Sequence, residues 1–236
     1  MEYVIYILPV ILPVGFWAGY HYYKDRHLPE PVSHLVLAFL LGIGSYYLGT
    51  LMYAALGLAG LRYDAYELAE TSLPGLLTYA ILGIGTIEEL AKMLPFLLVV
   101  IRLKSFNEPI DGIIYASFIA LGFATVENIH YLHFISGQEA WARGFAGPLL
   151  HIVFASIWGY YIGKACLCHE KTARVIVKAF IATAFFHGIY DFMVIAMPRS
   201  TLPLAALLIA GLWLWRLWLI RKLHTSKPGP CPQGDE

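Results

Sequence analysis

Three ionisable residues fall within five positions of an otherwise apolar run, "GTIEELAKML" (85–94): Glu88, Glu89 and Lys92. An ionised group at bilayer depth costs on the order of 2.5–3.5 kcal/mol on insertion scales, so such residues mark function or a partner. The other polar residues of the apolar runs cluster in three places. "GFATVENIHYLH" carries Glu127, Asn128 and His130; "PLLHIVF" carries His151; "FFHGIYDF" carries His187 and Asp191. Carboxylates beside histidines can take a proton from water and return it to a leaving group, which is the chemistry of hydrolysis.

Helical spacing limits how these groups pair. Glu88 and Lys92 are i,i+4 with the acid first, the favourable order for an ion pair on one face. Glu89 lies about 100° around the helix, and it is i,i+3 from the same lysine. Two assignments follow. Lys92 neutralises Glu88 and leaves Glu89 to the bundle, or the roles are reversed. His187 and Asp191 are i,i+4, so the carboxylate can fix the imidazole tautomer. Gly188, beside that histidine, leaves room for a partner helix or a substrate backbone.

Charge sharpens the expectation. Glu88, Glu89, Glu127 and Asp191 face one lysine, and so many anions cannot all stay ionised in a low dielectric. They must bind protons, bind a cation or line a wet cavity. If Glu89, Glu127, His151 and His187 converged they could hold zinc, although the chain has no HExxH. Glu127 and His130 have ExxH spacing without a second copy, which argues against a di-iron helix pair. A proton- or cation-coupled transporter is the competing reading of the same buried charges. His21, His27, His34, His130 and His133 read as interfacial.

The elements that must position these groups are helices. The chain has 236 residues, 59% hydrophobic and only 14% charged, where a soluble domain carries roughly a quarter charged residues. Apolar runs near 20 residues recur at 3–21, 33–59, 74–101, 110–135, 148–165, 175–197 and 201–221. The predicted fold is therefore an all-α polytopic helical bundle of about seven spans, because lipid admits only helices or closed barrels. One domain is expected over 1–222, followed by a disordered tail over 223–236. The acidic, aromatic stretch 62–72 suits an amphipathic segment on the surface.

Basic residues set the orientation. Alternate loops carry Lys24 and Arg26; Arg102 and Lys104; Lys164, Lys171, Arg174 and Lys178; then Arg221, Lys222 and Lys227. The opposite loops carry Arg62, Arg143 and Arg199. This bias predicts an outer N-terminus, a cytoplasmic C-terminus and a multi-pass protein of the cell membrane. The three cysteines, Cys166, Cys168 and Cys231, would then face a reducing compartment. A formal net charge of zero gives no footprint for nucleic acid. The Trp213, Trp215 and Trp218 cluster reads as lipid-facing anchorage.

The motifs resemble one family. "EELAK" matches the EExxK motif of the PrsW family of intramembrane proteases, which are relatives of the CAAX prenyl endopeptidases. "GFATVEN" (122–128), the lone His151 and "HGIYD" (187–191) agree with it in order, as does "KDRHLPEP" before the second span. Glu127 stands where the CAAX relatives typically have histidine, which favours PrsW. The resemblance implies proteolysis of a membrane-anchored protein, the family's outward-side first cut being made in an anti-sigma factor. It carries a functional set of Glu88, Glu89, Lys92, Glu127, His151, His187 and Asp191. It also implies glutamate-activated water with no cofactor, with Glu88 or Glu89 as base. His151 and His187 would position the water, and Asn128 or a histidine would stabilise the oxyanion. Zinc held by Glu89, Glu127, His151 and His187 is the alternative. The oligomeric state is left open.

Overall fold

The computed structural model describes residues 2–25, 28–168, 172–196 and 198–225, and among them every regular element is helical. The elements are α1 (Glu2–Lys24), α2 (Val32–Leu58), α3 (Ala65–Thr71), α4 (Leu73–Tyr79), a π-helical turn (Ala80–Gly85), α5 (Thr86–Leu98), a 3₁₀ turn (Val100–Arg102), α6 (Pro109–Tyr131), α7 (Gly137–Leu167), α8 (Thr172–Ala196) and α9 (Pro198–Thr225). Five helices are long and apolar enough to cross a membrane: α2, α6, α7, α8 and, from Ser200, α9. The expected tail begins three residues too early, since α9 continues to Thr225; residues 226–236 lie outside the described residues.

α6 is the central post. It is buried continuously from Pro109 to Ala124 and packs against α1, α2 and α7. A helix that is apolar all round belongs in the middle of a bundle. Its start is set locally, with Pro109 at the first helical position and a capping box between Glu108 and Asp111. Asp111, one of the charged residues near a predicted span end, is thereby accounted for: its carboxylate accepts the Asn107 and Glu108 backbone amides at 2.8 and 2.7 Å. α3 is the predicted surface segment, and Asp64 caps it by accepting from the Tyr66 and Glu67 amides.

Two glycine contacts decide where the site can form. Gly42 on α2 and Gly122 on α6 meet so closely that a Cβ on either would strike the other helix's backbone carbonyl, Ile119 or Phe39. Nearer the α2 C-terminus Gly49 meets only side chains at 3.7–4.0 Å, those of Ala91 and Ile87 on α5 and of Phe123 on α6. The second contact joins Gly85 to Gly188. A Cβ on Gly188 would lie 2.5 Å from Ile81 Cα and 2.6 Å from the Ala80 carbonyl oxygen, so the room it leaves is taken by the π-helical turn. Gly188→Ala must push backbone from backbone. It is expected to cost about 1–3 kcal/mol and to move His187 off its partners, read as a lower unfolding temperature in detergent together with reduced peptide cleavage.

Several expectations are corrected. His21 is interior, 1% exposed, with Nδ1 2.6 Å from the Trp17 carbonyl oxygen, because α1 lies against α6 and α9 brings Trp213 over its neighbours Trp17 and Tyr20. Trp213 is thus a packing residue, whereas Trp218 is exposed as expected. His27 lies outside the described residues. Cys168 is disulfide-bonded, against the reduced state expected of all three cysteines, while Cys166 is free. α9 also buries a guanidinium: Arg216 donates to Ser156 Oγ at 2.8 Å and Ser117 Oγ at 3.1 Å, hydroxyls that tie α9 to α7 and α6.

Candidate active site

The π-helical turn ends at Gly85, three residues before the first of the paired glutamates. Thr86 Oγ1 donates to the Ile81 carbonyl at 2.9 Å, bonding across the wider turn. Such turns alter the phase of the helix that follows, and they are frequent at functional sites. Here the turn faces α8 through Gly85 and Gly188, which places Glu88 and Glu89 opposite His187.

The two glutamates then separate by role. Glu89 is fully buried. Its Oε1 accepts from Lys92 Nζ at 2.6 Å and from His187 Nδ1 at 2.7 Å, and its Oε2 accepts from Trp158 Nε1 at 2.9 Å. Of the two assignments open to the sequence, the i,i+3 pair forms, and Lys92 belongs to Glu89. Lys92 also lies 3.0 Å from His151 Nδ1 and over the Phe123 ring. Glu88 is the freer acid. Its Oε2 is buried without a hydrogen-bond partner, 3.9 Å from His151 Nδ1 and 3.6 Å from His187 Nε2.

Each histidine is fixed by a carboxylate on its far nitrogen. His187 gives Nδ1–H to Glu89, leaving Nε2 toward Glu88 and Asp191, whose Oδ2 is 3.5 Å away and equally unpartnered. His151 gives Nε2–H to Glu127 at 2.8 Å, leaving Nδ1 toward Glu88 and Lys92. Carboxylate partners of this kind set the tautomer and the ring orientation. The rings sit with centroids 5.5 Å apart, and Phe154 stacks on His187 at 4.8 Å. Gaps of 3.5–3.9 Å around Glu88 Oε2 and Asp191 Oδ2 are too long for good direct hydrogen bonds, so both oxygens are left unsatisfied at the wall they share.

Seven of the eight sequence-predicted residues therefore meet, and Asn128 stands apart. It faces α7, where Nδ2 reaches the Arg143 carbonyl at 3.5 Å and its carboxamide packs at Gly147. Two residues join that the sequence reading passed over. Trp158 is the indole donor to Glu89. Arg143 pairs with Glu127 at 3.2 Å, stacks on Tyr131 at 3.3 Å, and keeps a buried Nε–H without an acceptor. The apolar run that starts at 148 places Arg143 in a loop, but α7 begins at Gly137 and carries Pro148 inside it. Trp158 lies seven residues after His151, on the same helical face, and that spacing was the available signal.

These side chains line a chamber of about 180 Å³ that includes Glu88, Glu127, Arg143, His151, His187 and Asp191. It meets a cleft of about 730 Å³ between α2 and α6, and Tyr66, Glu88, Glu127 and Tyr131 border both spaces. The donor set for a metal differs from the one expected. Glu88, His151 and His187 each place a ligand atom within 4.8 Å of the others. Glu89 is engaged by three donors and Glu127 holds His151 from behind, so neither belongs to the group. One carboxylate and two imidazoles, each imidazole backed by a second carboxylate, fit a catalytic divalent metal with an open position. The orphaned Glu88 oxygen fits it as well, and Lys92 beside His151 Nδ1 competes with it.

Residues 21–217 match the family described as PrsW family intramembrane metalloprotease. The Protease PrsW of Geobacillus kaustophilus (strain HTA426) is 31% identical over 217 residues, covering 91% of this chain and 89% of that protein. Those of Clostridioides difficile (strain 630) and Bacillus subtilis (strain 168) are 30% and 32% identical, covering 95% and 77% of this chain and 93% and 78% of theirs. No solved structure matches. With the family's motifs gathered around one buried chamber and the match running through most of its length, the chain belongs to the PrsW family.

Proposed function

We propose that this protein is a multi-pass intramembrane protease that hydrolyses a peptide bond in a membrane-anchored protein with water activated by Glu88. The observation that carries this is the unpartnered Glu88 oxygen, facing His187 Nε2 and His151 Nδ1 in a chamber joined to a cleft. Glu88 takes a proton from the water held among Glu88, His187 and Asp191, and the hydroxide adds to the scissile carbonyl carbon. Arg143, whose Nε–H has no acceptor, is placed to donate to the developing oxyanion, the role expected of Asn128 or a histidine. Glu88 then returns the proton to the amide nitrogen as the carbon–nitrogen bond breaks. Glu89, Lys92, Trp158 and Glu127 hold the histidines and balance charge.

A second reading rests on the three converging ligand atoms. Glu88, His151 and His187 would hold a divalent metal, zinc first, which when bound would lower the pKa of its water and polarise the carbonyl. The metal-free reading is preferred because Lys92 already engages His151 Nδ1 at 3.0 Å. Under either reading we place seven spans with the N-terminus outside, the chamber at the outer end, and a membrane-anchored substrate of the anti-sigma-factor kind. The test is cleavage of a single-span reporter by the full chain in proteoliposomes. Cleavage is expected to persist after metal stripping that leaves less than one-tenth equivalent of zinc. Activity lost on stripping and regained with stoichiometric zinc would replace the first reading by the second, and no cleavage in either state would remove both.

A further inference from the structure

The cleft beside the chamber is a built feature. Gly42 and Gly122 hold α2 and α6 in close contact, and the cleft is lined by the same two helices, from Tyr46 to Tyr53 of α2 and from Phe123 to Tyr131 of α6. The opening is walled by Tyr46 and Tyr53 of α2 and by Phe123 and Tyr131 of α6, and it ends on Glu88 and Glu127. Aromatic walls with a carboxylate floor suit an extended peptide better than a saturated lipid chain, because a peptide brings amide groups for the floor to meet. At its rim stands Arg62, in the connection between α2 and α3. Arg62 is exposed and makes no hydrogen bond or ion pair with any described residue. It is the cation of this space without an anion, since Arg143 is paired with Glu127.

Resting on the protease reading, we infer that the membrane-proximal segment of the substrate enters through the cleft between α2 and α6, and that Arg62 selects substrates with an acidic side chain at its mouth. The scissile carbonyl passes between Tyr66 and Tyr131 into the chamber, since those two side chains and the two glutamates line both spaces. An exposed ion pair is worth up to about 1 kcal/mol, which sets the expected selectivity at about fivefold.

Two single-span reporters, identical except for an Asp-Asp or a Lys-Lys pair beside the span, test this with the full chain in proteoliposomes. The unmodified protein should cut the acidic reporter about fivefold faster, and Arg62→Glu should invert the preference. Thr50→Trp, at an exposed cleft position on α2, should slow both reporters at least tenfold. Leu207→Trp, at an exposed position on α9 that lines neither the cleft nor the chamber, should leave both rates unchanged. A charge preference that survives Arg62→Glu, or an unaffected rate in Thr50→Trp, would overturn the inference and assign the cleft to lipid. Arg62 lies in an exposed connection, so its variant remains informative should Thr50→Trp fail to fold. Cutting that Glu88→Gln abolishes keeps the protease reading when the charge preference alone fails; no Glu88-dependent cutting at all overturns both.

Discussion

Glu88→Gln is expected to lower the rate of peptide cleavage by roughly 10²–10⁴-fold, the range associated with losing a general base, while leaving the protein at least as stable as before. Both halves follow from one geometry. The Glu88 oxygen that faces the histidines accepts no hydrogen bond. It also shares its surroundings with Asp191, Glu127 and Glu89, so it gains little in the folded state and adds repulsion. A carboxamide of the same shape removes that repulsion and cannot take the proton. The measurement is a single-turnover rate on a single-span reporter, beside thermal unfolding in the same detergent. Cleavage within threefold of the unmodified protein would move the base elsewhere in the chamber, and Asp191, whose Oδ2 also lacks a partner, would be next.

The sequence carried the chemistry further than the geometry. Buried acids in an apolar chain announce themselves by cost, so Glu88, Glu89, Glu127, His151, His187 and Asp191 could be picked out with no structure. Which glutamate pairs with Lys92 could not be read. The i,i+3 and i,i+4 spacings are nearly equivalent on one helix, and the choice is made by other helices. Trp158 of α7 and His187 of α8 both present N–H groups to Glu89, so three donors gather on one carboxylate. The same partners decide the metal set, because an acid already holding three donors is not a free ligand. The π-helical turn is invisible to a hydropathy window, which registers apolarity and not phase. Arg143 was lost to a proline. Pro148 reads as a helix start, whereas α7 runs through it and brings Arg143 to Glu127. Among the described residues Arg216 pairs with no carboxylate; serine hydroxyls 60 and 99 positions away receive it, a pairing that periodicity does not encode.

Glu89→Gln should behave in the opposite way to its neighbour and chiefly unfold the protein. All three donors on Glu89 are buried, and Lys92 has no exposed surface through which water could solvate it. Removing the anion strands that ammonium. Breaking a buried pair by deleting one partner costs about 3–5 kcal/mol. The glutamine amide adds to the loss, because its NH₂ must face either the Trp158 or the His187 N–H with donor against donor. The contrast between two adjacent substitutions of identical chemistry is the sharpest test of the assignment. Glu88→Gln loses turnover and keeps stability, whereas Glu89→Gln loses stability and, through a released His187, turnover as well. A double-mutant cycle isolates the cause. Lys92→Met removes the stranded charge, so Glu89→Gln in that background should cost at least 2 kcal/mol less than alone, a coupling within the range for residues in direct contact. The readout is reversible unfolding in mixed micelles with each variant compared at one detergent composition. Additive effects of the two substitutions would show that the lysine finds another partner, and His151, 3.0 Å away, is the group that would have to accept from it.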